Sequence, residues 1–338
     1  MIKTFSMCPT CYKRIPATIT VRGGAAWMDK ECEIHGHSTA IIDPDARIVL
    51  SQYNQTTEGL NKAVLVPITD KCNMACSWCY TKGVSIPEKD AAYYDDHFID
   101  LKQQGFTILL SGGEPAVRHD FVDLVASLQR LGWPVVTMSN MIKFSDINFM
   151  ENCGLVRGSE LLADFSMQHP ANYSGEIAAA KYSALSNLEK LGLRANCIQF
   201  SIASLDELPW IRTFYDDTKH LYSNIRIRTL HGFWKDTSSK IYLSQLYSKF
   251  MEEFADLMPM ADNSLESTNI YSIFMRDEYC RISIGSAPTV ENIDLSSCSR
   301  PTLAVGLDGK YHGFPVAQIV SEGIQKGWYN GYKICANE

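Results

Sequence analysis

Six short apolar runs alternate with helical patterns between residues 63 and 258, and that alternation restricts the chain more than any other feature in it. The runs lie at 63–68, 107–110, 135–138, 162–166, 197–202 and 225–230. Residues 88–104, 178–191 and 243–257 carry apolar positions at helical spread, and Phe121, Leu124, Val125, Leu128 and Leu131 recur at i, i+3, i+4 spacing. Strands that are each followed by helix or loop predict a parallel sheet of βα units. The expected fold is therefore α/β, a partial (β/α)6 TIM-like barrel, with its chemistry at the C-terminal ends of the strands.

The rest of the chain departs from this pattern. Residues 1–45 have no helical period, and 21–27 reads as strand, turn, strand. They form a small metal-binding knuckle, zinc-ribbon or rubredoxin-like. Residues 46–62 read as a linker, 63–258 as the barrel, and 259–338 as a C-terminal extension. Within the extension, 303–311 reads as a hairpin turning at Asp308-Gly309.

The 338 residues include 11 cysteines, an odd number, with no apolar leader ahead of them. That usage argues against a disulfide framework and for thiols that bind metal or do chemistry. No apolar run approaches the ~18–20 residues of a membrane span, so a cytoplasmic protein is expected. The net charge of −7 does not attract nucleic acid, although Lys3, Lys13, Arg14, Arg22 and Lys30 gather in the knuckle region.

Three cysteines, Cys72, Cys76 and Cys79, follow the first barrel strand with CxxxCxxC spacing. Three thiolates so close together can wrap one corner of an iron–sulfur cubane and leave one iron open to an amine and a carboxylate. A zinc site or three core cysteines is the alternative, but structural zinc prefers four closed ligands. Ser111-Gly112-Gly113-Glu114-Pro115 follows the second strand, Ser139-Asn140 follows the third, and Ser166 ends the fourth.

With Trp78 before its last cysteine, the CxxxCxxC loop resembles the signature of the radical S-adenosylmethionine (SAM) enzymes, and Gly112-Gly113-Glu114-Pro115 resembles their GGEP motif. The resemblance covers about residues 63–230. It implies a 4Fe-4S cluster on Cys72, Cys76 and Cys79, with SAM on its open iron. It also implies cofactor contacts from Trp78, from Gly112, Gly113 and Glu114 near the methionine ammonium, and from Ser139, Asn140 and Ser166 near the ribose. Reductive cleavage of SAM would then give a 5′-deoxyadenosyl radical that takes hydrogen from a substrate C–H bond, for methyl or carbon transfer. The implied partners are a small-molecule, base or side-chain substrate and a reductant such as flavodoxin or ferredoxin. An isomerase or modifying enzyme acting on a nucleobase or amino-acid-like group is the alternative within the class. Outside it stands a non-catalytic Fe–S and zinc protein for electron transfer or interaction.

At the N-terminus, Cys8-Pro9-Thr10-Cys11 and Cys32-Glu33-Ile34-His35 make two knuckles. Cys8, Cys11, Cys32 and His35 are the expected ligands, with His37 as the other choice for the fourth, and zinc or a rubredoxin-type iron as the metal. A metal is physically sensible for a module too small to bury much apolar area. CPxC and CxxHG ahead of such a barrel resemble the class D methyltransferase-like radical SAM proteins, which include pterin methyltransferases and archaeal tetraether lipid synthases. That likeness implies no particular substrate.

Cys280, Cys298 and Cys335 are candidates for a second Fe–S cluster; Cys298-Ser299-Arg300-Pro301 resembles the start of an auxiliary-cluster extension, but His312 stands where that pattern has a further cysteine. Cys153 and Cys197 read as packed thiols. Arg226 and Arg228 alternate with Ile225 and Ile227, so one strand face presents two cations. They either grip a carboxylate or phosphate inside the barrel or face acidic helix residues outside it. His231 follows at the rim as a candidate substrate contact, and Asp164 either binds substrate or closes an ion pair.

Overall fold

The computed structural model describes residues 1–8, 10–11, 14–47, 50, 63–76, 86–103, 105–229, 241–254, 256, 270–276, 279–285, 302–305 and 311–312. Four strands come first: β1 (Ile2–Met7), β2 (Arg14–Arg22), β3 (Ala25–Cys32) and β4 (Gly36–Asp43). They pair antiparallel in chain order, with Gly23 and Gly24 turning β2 into β3. The buried side chains of this sheet divide into two groups. Ala17, Ile19, Ala26 and Met28 join the main apolar core, whereas Ile15 packs with Cys8, Cys32 and Cys11 in a separate small cluster. The sheet is thus seated on the barrel by one group and closed around its cysteines by the other. Asp43, at the end of β4 and fully buried, accepts the Ser244 N–H at 2.9 Å and so caps a distant helix.

All six expected barrel strands form: β5 (Ala63–Thr69), β6 (Thr107–Gly112), β7 (Val135–Ser139), β9 (Glu160–Met167), β10 (Arg194–Ile202) and β11 (Tyr222–Thr229). They lie side by side in that order, every neighbouring pair parallel. The two-residue β8 (Val156–Arg157) pairs antiparallel with β9. The connecting helices are α1 (Ala91–Gln103), α2 (Phe121–Arg130), α3 (Ile147–Asn152), α4 (Gly175–Leu191) and α5 (Leu208–Thr218), with α6 (Leu243–Phe254) after β11. This is the α/β array of parallel strands and helices that the alternation predicts.

Two hairpins lengthen the sheet. β13 (Tyr279–Gly285) runs antiparallel to β11 and carries β12 (Ile270–Arg276) outside it. At the other edge β14 (Thr302–Val305) runs parallel to β5 and pairs antiparallel with β15 (Tyr311–His312). The two strands of the expected hairpin therefore pair, its turn at Asp308-Gly309 lies outside the described residues, and its first strand is a seventh parallel neighbour in the sheet. No helix among the described residues is long and apolar enough to cross a membrane.

Register sorts the side chains by face, because successive strand residues point to opposite sides. Met167, Phe200 and Ile227 form one row across β9, β10 and β11, all buried. That row faces the helices: the Phe200 ring meets Trp210 and Phe214 of α5 at centroid distances of 5.5 and 5.2 Å. The adjacent row, Ser166, Gln199 and Arg226, therefore lies on the opposite face, the inner wall.

Candidate active site and metal centre

The cysteine loop leaves β5 through Asp70 and Lys71 and is pressed against the end of β6. Gly113 N–H donates to the Thr69 carbonyl and Glu114 N–H to the Lys71 carbonyl, both at 2.8 Å. This approach requires glycine. A Cβ on Gly112, whose φ is +122°, would meet Thr69 O at 2.3 Å, and one on Gly113 would meet Lys71 O at 2.3 Å. The Asp70 carboxylate accepts the Ile86 N–H at 3.4 Å, and Thr69 Oγ1 donates to Glu88 Oε1 at 2.7 Å, so the residues before and after the loop are joined. Arg118, buried just beyond the GGEP turn, donates to the Ile68 and Lys89 carbonyls at 3.2 and 2.6 Å and braces the same strand end.

Cys72 is exposed and Cys76 half-buried. The Cys72 sulfur accepts the Met74 N–H at 3.4 Å and lies 3.9 Å from Asn140 Nδ2. Asn140 Nδ2 also donates to Asn73 Oδ1 at 2.7 Å, tying the loop to the end of β7. Trp78 and Cys79 lie outside the described residues.

Behind the loop sits a buried polar network. Glu114, 1% exposed, accepts Ser139 Oγ at 2.8 Å and Ala116 N–H at 3.2 Å on Oε1, and Asn140 N–H at 2.6 Å on Oε2. Burial pushes its carboxyl up to about 6, even though these donors and the Lys181 ammonium favour the ionised form. The Ser139 hydroxyl is thus directed at Glu114 and also accepts the Met141 N–H, and the Glu114 carboxylate points into the protein.

Lys181, fully buried on α4, donates to the Asn140 and Ser166 carbonyls at 2.8 and 2.6 Å. It clips the ends of β7 and β9 together, and burial brings its ammonium down to about 8. The Ser166 hydroxyl accepts Gln168 Nε2 at 3.0 Å. Sequence reasoning passed over Lys181. Its signal was position: it shares the buried face of α4 with Ala184, Leu185 and Leu188, where a lysine is out of place.

On the inner wall Arg226 Nη1 donates to Asp164 Oδ2 at 3.1 Å, and Asn196 Nδ2 donates to Asp164 Oδ1. The exterior alternative for Arg226 therefore gives way to an inward-facing ion pair. Arg228 is in register with Ser201. His231, Cys298 and Cys335 lie outside the described residues, and Cys280 is paired with Met275 in the β12–β13 hairpin. Cys153 and Cys197 are both buried.

The N-terminal knuckles converge as a metal site. The ligand atoms of Cys8, Cys11, Cys32 and His35 all lie within 4.8 Å of one another. His35 Nδ1 stands 3.5 Å from both Cys8 and Cys32 sulfurs, and Cys11 and Cys32 sulfurs are 3.9 Å apart. Burial raises the Cys8 thiol, but the backbone N–H groups of Cys11 and Thr10, together with the Cys11 and Cys32 thiols, outweigh it and bring it to about 7, toward the thiolate that a metal binds. His37 is elsewhere, with Nε2 3.7 Å from Asp29 Oδ1. The donor set of three soft thiolates and one imidazole suits tetrahedral zinc.

The family described as the HMPTM N-terminal zinc ribbon domain matches residues 1–44. The 7,8-dihydro-6-hydroxymethylpterin dimethyltransferase of Methanocaldococcus jannaschii is 27% identical over 185 residues, 44% of this chain and 36% of that protein. The GTP 3′,8-cyclase of Paenarthrobacter nicotinovorans is 37% identical over 70 residues, 19% of this chain and 20% of that protein. The chain thus spans about a third of the first relative and a fifth of the second. Among solved structures, Streptococcus suis SuiB bound to S-adenosylmethionine has TM-score 0.45 at 14% identity, covering 62% of this chain and 48% of its own. TYW1 with a lysine-pyruvate adduct bound has TM-score 0.45 at 12% identity, covering 79% and 92%. The chain is a homologue of radical SAM enzymes that carries a zinc ribbon at its N-terminus.

Proposed function

We propose that this protein is a radical SAM enzyme in which Cys72, Cys76 and Cys79 hold a 4Fe-4S cluster and the ends of β6, β7 and β9 hold SAM. The residues present fit that cofactor. The Cys72 sulfur already accepts an N–H donor, and the buried Lys181 ammonium lies within electrostatic reach of Cys76, so the loop suits anionic sulfur ligands. Held by Cys72, Cys76 and Cys79, such a cluster would supply, once reduced, the single electron for SAM cleavage and thereby hydrogen-abstracting chemistry at this site.

The chain's own residues do the positioning. The Gly112–Gly113 turn brings backbone to within contact of the loop, and its Gly113 and Glu114 N–H groups are already engaged by Thr69 and Lys71. With those N–H groups engaged, any ligand ammonium at this turn would be met by carbonyl oxygens of Gly112 and Gly113, those of Glu114 and Pro115 already accepting Val117 and Arg118 N–H. Glu114 acts from beneath by fixing Ser139 and Asn140, and Asn140 in turn holds Asn73 of the loop. Lys181 locks the Asn140 and Ser166 backbone and so sets the shelf on which a ribose would lie. The observation that carries the reading is the forced contact of Gly113 with Lys71, which joins the cysteine loop to the GGEP turn.

The relatives support a reading of the substrate class. A dihydropterin and GTP both contain a fused 2-amino-4-oxopyrimidine ring, and a small polar fused heterocycle is the expected substrate, with methyl or carbon transfer as the reaction. A flavodoxin or ferredoxin would supply the electron, and the site of action would be the cytoplasm. The test is anaerobic reconstitution followed by dithionite and SAM. Release of 5′-deoxyadenosine, lost in Cys76→Ala, is expected. No release above that variant from wild-type protein with an intact cluster would make the centre an electron-transfer or structural one.

A further inference from the structure

We propose that Arg226, steadied by Asp164 on the inner wall, is the anchor for an oxyanion of the substrate, a phosphate or a carboxylate, and so determines which substrates the site accepts. This deepens the radical SAM reading and rests on it. Arg226 lies in the row Ser166, Gln199, Arg226, on the face turned away from the helices. Its side chain is 18% exposed and that of Asp164 7% exposed, so the pair is largely withdrawn from water.

The pairing is incomplete for such a place. A guanidinium has five N–H donors in a rigid fork. Among the described residues Arg226 uses one of them in a hydrogen bond, a single 3.1 Å contact to one oxygen of Asp164. The other Asp164 oxygen receives Asn196 Nδ2, so the carboxylate is shared between two donors. A pair built for stability would be bidentate; here the Cys197 sulfur and the Asp164 carboxylate outweigh burial in favouring the charged guanidinium, yet most of its N–H donors have no hydrogen-bond partner among the described residues. A ligand oxyanion on the remaining edge would complete it with the fork geometry that favours arginine over lysine.

Position supports the assignment. Arg226 stands two strands from Ser166, about 10 Å at the usual strand spacing, and the Ser166 carbonyl belongs to the Lys181 clip beside the cysteine loop. A substrate held at Arg226 therefore reaches toward the Ser166 side across the width of a fused bicyclic ring.

Isothermal titration of the anaerobically reconstituted full chain, loaded with SAM, tests this with inorganic phosphate and malonate as separate probes at low salt. One of them is expected to bind at one equivalent, and which one binds tells phosphate from carboxylate. Arg226→Gln is expected to weaken that binding about tenfold or more, and Arg226→Lys to restore only part of it. Asp164→Asn is expected to tighten it severalfold by freeing the guanidinium. No binding of either probe up to ~10 mM would overturn the proposal. Unchanged binding in Arg226→Gln, or Asp164→Asn weakening it as Arg226→Gln does, would overturn it too, since a merely structural pair predicts those results. 5′-Deoxyadenosine is then measured on the same samples after dithionite is added. Anion binding without it from any sample condemns the radical SAM reading, whereas its release without anion binding condemns the anchor alone.

Discussion

Replacing Glu114 by Gln separates the cost of a buried charge from the value of the bonds it accepts. Burial raises the carboxyl from 4.5 to about 6, and at about 1.4 kcal/mol per unit that is about 2 kcal/mol. The sign is set by linkage. Below pH 4.5 the group is protonated folded or unfolded; between 4.5 and about 6 only the native state keeps the proton; above that both states are ionised. The contribution to stability is therefore full at low pH and lost as pH rises through about 6. Gln cannot ionise and removes this dependence. With its oxygen in place of Oε1 it keeps Ser139 Oγ and Ala116 N–H, but its amide then faces Asn140 N–H across 2.6 Å, donor against donor. That conflict costs about 1–3 kcal/mol, which nearly offsets the relieved charge at pH 7. Glu114→Gln is thus expected to match wild-type stability within ~1 kcal/mol at pH 7 and to fall about 2 kcal/mol behind it near pH 4.5. Urea unfolding of both proteins across pH 7.5 to 5, run anaerobically in parallel, should show most of that divergence, because acid effects on the metal centres are common to both. Parallel pH curves for the two proteins would show that burial of the Glu114 carboxyl does not set this pH dependence. A second readout is SAM affinity, expected to fall about tenfold as Asn140 loses its seat.

Two further outcomes are expected. Gly113→Ala places a Cβ 2.3 Å from Lys71 O and 2.8 Å from Asp70 O, both backbone. The loop must move, at about 1–3 kcal/mol, and anaerobic reconstitution should then yield less iron and little 5′-deoxyadenosine while ribbon zinc is unchanged. In the ribbon, His35→Ala should lose zinc by elemental analysis and His37→Ala should retain it, since only His35 lies with the three sulfurs. Equal zinc loss in both variants would put His37 in the coordination sphere.

The helices show where local signals were strong and where they were weak. α2 and α4 repeat apolar residues over several turns and were legible. α5 was passed over although Leu208, Ile211, Phe214 and Tyr215 recur at helical spacing, Pro209 sits in the first turn where a helix tolerates it, and a Ser204/Glu207 capping box precedes it. α3, six residues long, is too short to display a period. At the proposed site, the cysteine loop and the GGEP turn could be singled out in advance because each follows a strand that periodicity had located. The inward turn of the Glu114 carboxylate and the role of Lys181 were not, for both depend on burial.

Residue order alone sufficed for features whose partners are near along the chain: the βα alternation, the CxxxCxxC spacing, and the two knuckles that need only a strand, turn and strand to meet. Packing set the others. Lys181 finds Asn140 across 41 residues, Arg226 finds Asp164 across 62, and Asp43 caps a helix 201 residues away. Such contacts follow from the order in which strands pack, and a buried polar group must take the partner that packing brings to it, because no water is there to serve instead.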